Sequence, residues 1–216
     1  MVAVKSENLI DSEAKLRDII GDVMDIAAAK AIPKLDKYCR EYISRSPFVC
    51  LGTADANGRV DVSPRGDQPG FVQVLDDNTL FIPERPGNRR LDSLTNILSN
   101  PGVGLLFMVP GYDETLRVNG SAKLVNTPAL LDAAAVKGKQ PLIGIQIDVQ
   151  EAYLHCAKAF RRSNLWKPDA IQDRSEMPSL AKMVLEQISP PDSPPDDATI
   201  QAGDEMIEDN YRNEMY

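Results

Sequence analysis

The spacing of apolar residues changes at Phe48. Upstream, Leu9, Leu16, Ile19, Ile20, Val23 and Ile26 recur at helical intervals and predict a helix over about 8–31. Pro33 interrupts it. A second helix over 34–44 carries Leu35, Tyr38, Cys39, Tyr42 and Ile43 on its inner side, and Ser46-Pro47 closes it. Downstream, alternation takes over. Phe48 to Thr53 reads as a strand, Asp55-Ala56-Asn57-Gly58 as a hairpin turn, and Val60-Asp61-Val62-Ser63 as the return. A second hairpin runs from Phe71 to Leu75, turns at Asp76-Asp77-Asn78 and comes back through Thr79 to Ile82. Strands over 103–109 and 115–125 meet at Pro110-Gly111, a short Ala-rich helix covers 128–136, and a last strand starts at Leu142 and extends towards Leu154. Seven strand starts, mostly hairpin-linked with one helix inserted, predict a mainly β fold: a closed or partly closed antiparallel barrel, since closure removes exposed edges.

At 216 residues the chain suits one domain with extensions. The division expected is N-terminal helices packing on the barrel (1–46), the barrel (47–166), a C-terminal helix region (167–188) and a Pro-rich acidic tail (189–216). Charge sharpens that division. Of the net −8, the tail carries −7, from eight acids against Arg212, which leaves the body close to neutral and free to hold a local cationic pocket. The acidity argues against nucleic acid as a partner. Three cysteines, Cys39, Cys50 and Cys156, make no disulfide framework, and the charged N-terminus reads as neither a signal peptide nor a membrane span. A cytoplasmic location is expected.

Most familiar chemistries lack their residues. His155 is the only histidine, so a multi-histidine zinc site is excluded and no metal is expected; no nucleophile elbow, Walker A or complete dinucleotide fingerprint occurs. What remains is a set of cations at the ends of expected elements: Arg65 after a strand, Arg89 and Arg90 at the inserted helix, and Lys158, Arg161 and Arg162 after the last strand. The helix matters most. Asn88 stands where an N-cap belongs, which puts Arg89 and Arg90 in the first turn, against the positive end of the helix dipole. A bound phosphate reverses that penalty, taking the free backbone N–H groups while the guanidiniums neutralise it. The competing reading is a set of separately solvated surface arginines. If the cations converge, the ligand is a phosphorylated small molecule, and Trp166 or Tyr112 offers its ring a flat surface.

Ser63-Pro64-Arg65-Gly66, Gly87-Asn88-Arg89-Arg90, Asn100-Pro101-Gly102-Val103-Gly104 and Leu116-Arg117-Val118-Asn119-Gly120 together resemble the FMN-binding split-barrel family of pyridoxamine 5'-phosphate oxidase and its relatives, over roughly 37–166. The resemblance implies an antiparallel split β-barrel with FMN held between the two subunits of a homodimer. It implies that Asn88, Arg89 and Arg90 hold the FMN phosphate, that Ile82 and Pro83 lie along the flavin, and that Ser63, Pro64 and Arg65 pass under its ring. Thr115 contributes from a following strand, and Lys158, Arg162 and Trp166 reach the partner's flavin. Ser63 and Gln68 stand where the oxidase proper has an arginine and a lysine, and the ending Tyr211 to Tyr216 lacks its Arg-Leu-Ala-Pro. A relative other than the oxidase proper is therefore implied.

The function so implied is an FMN-dependent oxidoreductase passing hydride or electrons between a nicotinamide or small-molecule donor and an acceptor. Because the flavin carries the chemistry, no catalytic side chain need stand out. A non-catalytic FMN-binding or storage protein, and a split barrel binding haem or a deazaflavin, are the other readings.

Overall fold

The computed structural model describes residues 8–216. In chain order these form α1 (Glu13–Ile20), α2 (Asp25–Ala29), α3 (Lys37–Arg45), β1 (Phe48–Ala54), β2 (Val60–Gly66), β3 (Gln73–Asp76), β4 (Thr79–Pro83), α4 (Asp92–Ser99), β5 (Gly102–Met108), β6 (Thr115–Val125), α5 (Pro128–Ala133), β7 (Gly144–His155), α6 (Lys158–Ser163), α7 (Leu180–Ile188) and α8 (Asp197–Asn213). The strands make one antiparallel sheet in the order β2-β1-β5-β6-β7-β4-β3. Alternation decides which residues turn inward. Val49 and Leu51 of β1, Leu105 and Phe107 of β5, Leu116 and Val118 of β6 and Ile145 and Ile147 of β7 are all at most 2% exposed and form the core.

Of the closed and partly closed barrels that the strand pattern allows, the structure has the second, the split barrel that the resemblance implies. β2 and β3 remain edges and do not pair with each other, so the barrel is split. The local reasons are visible. Pro64 removes an N–H donor from β2, and β3 spans four residues with a register shift between Val74 and Asp76. Beyond the last β3 pair, Gln73 opposite Phe81, the seam is bridged by side chains instead: Arg65 Nε lies 3.2 Å from Glu84 Oε2, and Arg85 Nε 2.7 Å from Asp67 Oδ2.

β4 is buried on both faces. Leu80 and Ile82 enter the main core, while Phe81 packs with Leu131 and Ala134 beneath α5. Gly144 makes room for that ring, because a Cβ there would overlap Phe81. The helix inserted after β4 buries Leu94 and Ile97, and Asn96 Nδ2 donates to Thr53 Oγ1 at 3.0 Å. Asp36 caps α3 through the N–H groups of Tyr38 and Cys39, and α3 buries Cys39, Tyr42 and Ile43. Burial pushes the Cys39 thiol up to about 11, so it packs as an apolar group.

The expected single N-terminal helix is two short ones, separated at Gly21, whose φ of 87° takes it out of helical conformation. Neither helix buries a residue, and Ile19, Ile20 and Ile26 are exposed. The acidic tail does form a helix by docking: α8 packs on α7, with Gly203 close against Ala181.

Candidate functional site

The seam gathers the first group of expected residues. Along β2, Asp61, Ser63 and Arg65 alternate to the less exposed side while Val60, Val62 and Pro64 face outward. Arg65 donates from Nη1 to Ser63 Oγ at 2.6 Å and to the Pro64 carbonyl at 3.0 Å, besides its pairing with Glu84. Burial pushes the Glu84 carboxyl up, and Arg65 offsets part of that shift. Asp61 accepts from Ser93 Oγ at 2.9 Å, tying β2 to the first turn of α4. Ile82 and Pro83 lie beyond the end of β3, so their strand edge on that side meets no neighbouring strand, although both side chains are buried. What they can offer a ligand is backbone.

The loop into α4 differs from expectation. Asn88 does not cap the helix: its Oδ1 accepts from the Arg90 N–H at 3.0 Å and closes a local turn. The N-cap is Leu91, with φ 62°, ψ 19° and no capping side chain, so Arg89 and Arg90 precede the helix rather than occupying its first turn. Left-handed backbone at Arg89 and Leu91 causes the shift, since it breaks helical continuity three residues later than a capping Asn88 would have placed it. Arg90 pairs with Asp92 at 2.8 Å with 68% of its side chain exposed, whereas Arg89 meets no acid among the described residues. The N–H groups of Asp92, Ser93 and Leu94 meet no acceptor among the described residues. Two residues held in left-handed backbone, three free donors and exposed guanidiniums therefore coincide at one loop.

The second group lies elsewhere in the chain. Thr115 starts β6, paired with His155 of β7 and buried. Lys158 opens α6 and is exposed; Arg162 turns back to the Lys158 carbonyl, 3.2 Å away. Trp166 donates from Nε1 to the Tyr112 carbonyl at 2.8 Å and stacks on Phe160 with centroids 5.5 Å apart. Arg161 pairs with Asp113 at 3.1 Å, and Tyr42 donates to the Glu114 carbonyl at 2.6 Å while meeting Tyr112 edge-on. The 110–114 turn is thus clamped from two sides. One face of Trp166 is already used by Phe160, and the ring of Tyr112 already meets Tyr42. No hydrogen bond or ion pair among the described residues joins this group to Ser63, Arg65, Arg89 or Arg90.

His155 has a buried Nδ1 without a hydrogen-bond partner among the described residues, and burial with Lys30 and Arg117 nearby holds its pKa below the usual value. A cleft of about 750 Å³ opens between α8 and the segment leading into α7, lined among others by Met177, Met183, Ile207 and Tyr211, and it touches none of the expected site residues.

Residues 35–156 match the family described as pyridoxamine 5'-phosphate oxidase, more than half of the chain. The chain belongs to the pyridoxamine 5'-phosphate oxidase-related split-barrel family. Similar solved structures include HupZ from Group A Streptococcus, 19% identical, with a TM-score of 0.46 over 56% of this chain and 93% of that one. A putative pyridoxamine 5'-phosphate oxidase from Lactobacillus delbrueckii is 22% identical, with a TM-score of 0.43 over 56% and 99%. An FMN-binding protein from Syntrophomonas wolfei is 11% identical, with a TM-score of 0.42 over 66% and 96%. No curated protein matches the chain. Among the described residues, no helix is long and apolar enough to cross a membrane.

The residues that sequence reasoning missed are Asp61, Asp67, Glu84, Arg85 and Ser93. Their signal was faint: Arg65-Gly66-Asp67 and Glu84-Arg85 carry opposite charges at two strand ends that only the folded sheet brings together.

Proposed function

We propose that this chain is an FMN-dependent oxidoreductase, passing hydride or electrons between a nicotinamide or small-molecule donor and an acceptor. The observation that carries the reading is the loop before α4, in a member of this family: unpartnered first-turn N–H groups beside Arg89 and Arg90. That donor set suits a phosphate dianion, which accepts backbone N–H bonds and is neutralised by guanidinium. Asn88 holds the turn that carries the two guanidiniums by accepting the Arg90 N–H. Ile82 and Pro83 supply an open strand edge for a polar ring margin, and Ser63 and Arg65 form the polar floor on β2. The flavin, when bound, supplies the two-electron chemistry. The chain's residues orient it, and Arg65 places positive charge beside the seam.

One chain offers half of such a cradle. Among the described residues no hydrogen bond or ion pair joins Thr115, Lys158, Arg162 or Trp166 to the seam, and Val60 and Val62 of edge strand β2 are exposed. We assign the second half to another copy, so that the cofactor lies between two subunits in the cytoplasm. Purification tests the reading directly. A yellow protein that releases FMN on denaturation, sediments as a dimer and bleaches rapidly with reduced nicotinamide is expected. Colourless protein that takes up no added FMN overturns the cofactor. Bound FMN that no donor reduces makes the chain a carrier rather than an enzyme.

A further inference from the structure

The tail does more than pack α8 on α7. Three residues past that helix, Tyr216 reaches the barrel and fills a bed made by four other charged side chains. Its phenol donates to Asp67 Oδ1 at 2.8 Å, and its carbonyl oxygen accepts from Lys139 Nζ at 2.7 Å. Arg85 Cζ lies 5.5 Å and Lys137 Nζ 5.6 Å from the ring centroid. The Asp67–Arg85 half of this bed is held by contacts other than those to its occupant. Asp67, whose side chain is 2% exposed, is fixed by Arg85 at 2.7 Å, and Arg85 also donates to the Ala134 carbonyl at 2.9 Å. Lys137 and Lys139 project from a two-residue turn closed by Val136 and Lys139, in which Lys137 and Gly138 have φ of 51° and 77°.

The chemistry of each contact defines what fits. An ionised Asp67 only accepts, so the ligand must present a donor there, as the phenol hydroxyl of Tyr216 does. Two cations near the ring favour an aromatic face, and Lys139 requires an acceptor oxygen on the far side. Three cations against one carboxylate leave the bed positive, while the tail that delivers Tyr216 is strongly acidic. Burial raises the Asp67 pKa, but the Gln68 N–H, the Tyr216 hydroxyl and Arg85 together bring it below the ordinary value, which keeps the acceptor ionised at neutral pH.

We infer that Asp67, Arg85, Lys137 and Lys139 form a binding subsite for a phenolic carboxylate, which the chain's own Tyr216 occupies in competition with the ligand. This subsite stands whether or not flavin binds at the neighbouring Arg65–Glu84 pair.

Calorimetric titration of 4-hydroxyphenylacetate into the full-length chain, stripped of any flavin, tests it. A bed occupied by the tail in nine molecules of ten weakens apparent affinity about tenfold, so Tyr216→Ala is expected to bind the probe about tenfold more tightly than the parent chain. Adding Lys139→Ala to that variant is expected to abolish the gain, and phenylacetate, which leaves Asp67 without its donor, is expected to bind more weakly than the hydroxylated probe. A second measurement needs no substitution: the probe is expected to speed tryptic cleavage at Arg212 in the parent chain as it displaces the tail. Equal affinity in parent and Tyr216→Ala, no binding to Tyr216→Ala at millimolar probe, or cleavage unaffected by saturating probe would each overturn the inference.

Discussion

Four arginines sit on the β2 and β4–α4 segments, and they divide into two kinds. Arg65 and Arg85 are 14% and 16% exposed at the side chain, each has its own carboxylate, and together they bridge the split in the sheet. Arg89 and Arg90 extend into solvent a few residues later, one without an acid partner among the described residues and the other paired only with its near neighbour Asp92. The difference follows from desolvation. A guanidinium taken out of water must find its compensation within the fold, so each seam arginine is held first by its own carboxylate. An exposed pair keeps its charge at small cost to folding and can neutralise an incoming anion. Of the two kinds, the loop pair is the better candidate for binding, and the seam pair is structural first.

The sharpest way to break this division is Arg89→Ala with Arg90→Ala. If both guanidiniums meet phosphate oxygens, at about 2 kcal/mol for each charge-assisted bond, FMN affinity should fall by roughly a thousandfold. Stability should move by less than about 0.5 kcal/mol, as for exposed positions generally. Flavin fluorescence titration and a denaturant midpoint read the two quantities. Undiminished affinity would make the loop arginines as idle as any solvated charge.

Arg85→Ala should do the opposite. It leaves Asp67 as a buried carboxylate without its cation and strips a donor from the Ala134 carbonyl, which should cost about 3 kcal/mol of folding stability. Pairing it with Asp67→Asn should restore part of that loss, a coupling that urea denaturation of the four chains measures. A loss under about 0.5 kcal/mol for the single variant would remove the structural distinction between the two kinds of arginine.

Much of this could be read along the chain, and the failures have physical causes. The strands were legible because alternation at Val49, Leu51, Leu105 and Phe107 writes burial directly into the sequence. The partnership of β4 with β7 was not, since it joins residues more than sixty positions apart with no hairpin to announce it. Asn88 illustrates a local rule losing to a competing one. An asparagine before a helix serves as readily in a turn as in a cap, and nothing in a leucine foretells left-handed backbone at Leu91. The N-terminal stripe misled for a related reason: helical periodicity marks an apolar face but says nothing of what covers it, and α1 and α2 bury no residue.

Arg65→Ala should give a smaller loss than Arg85→Ala, about 1–2 kcal/mol at neutral pH, because Glu84 can escape by taking up a proton. Burial raises the Glu84 pKa above its ordinary 4.5 even with Arg65 present. The folded state therefore binds more protons than the unfolded one between 4.5 and that raised value, and its stability grows as pH falls through this window. Without Arg65 the raised value climbs further. The deficit of the variant should be largest above the window and shrink as acid neutralises Glu84, a trend that denaturation at a series of pH values would reveal; a deficit independent of pH would mean that Glu84 does not depend on Arg65.

The mildest test concerns backbone rather than charge. Leu91 is 54% exposed with φ 62°, a conformation that costs a leucine about 1 kcal/mol and a glycine nothing. Leu91→Gly relieves that strain and gives up only modest burial, but it also loosens the unfolded chain, so the net gain should be about 0.5 kcal/mol or less. The informative quantity is what happens to binding. If the left-handed turn exists to hold the guanidiniums and the free first-turn donors towards an anion, a glycine there keeps the donors but frees the turn, and FMN affinity should fall a few-fold while stability holds or rises. A variant that is more stable and binds FMN as tightly as before would show that the turn is strained without purpose, and that the guanidiniums alone account for whatever the loop contributes.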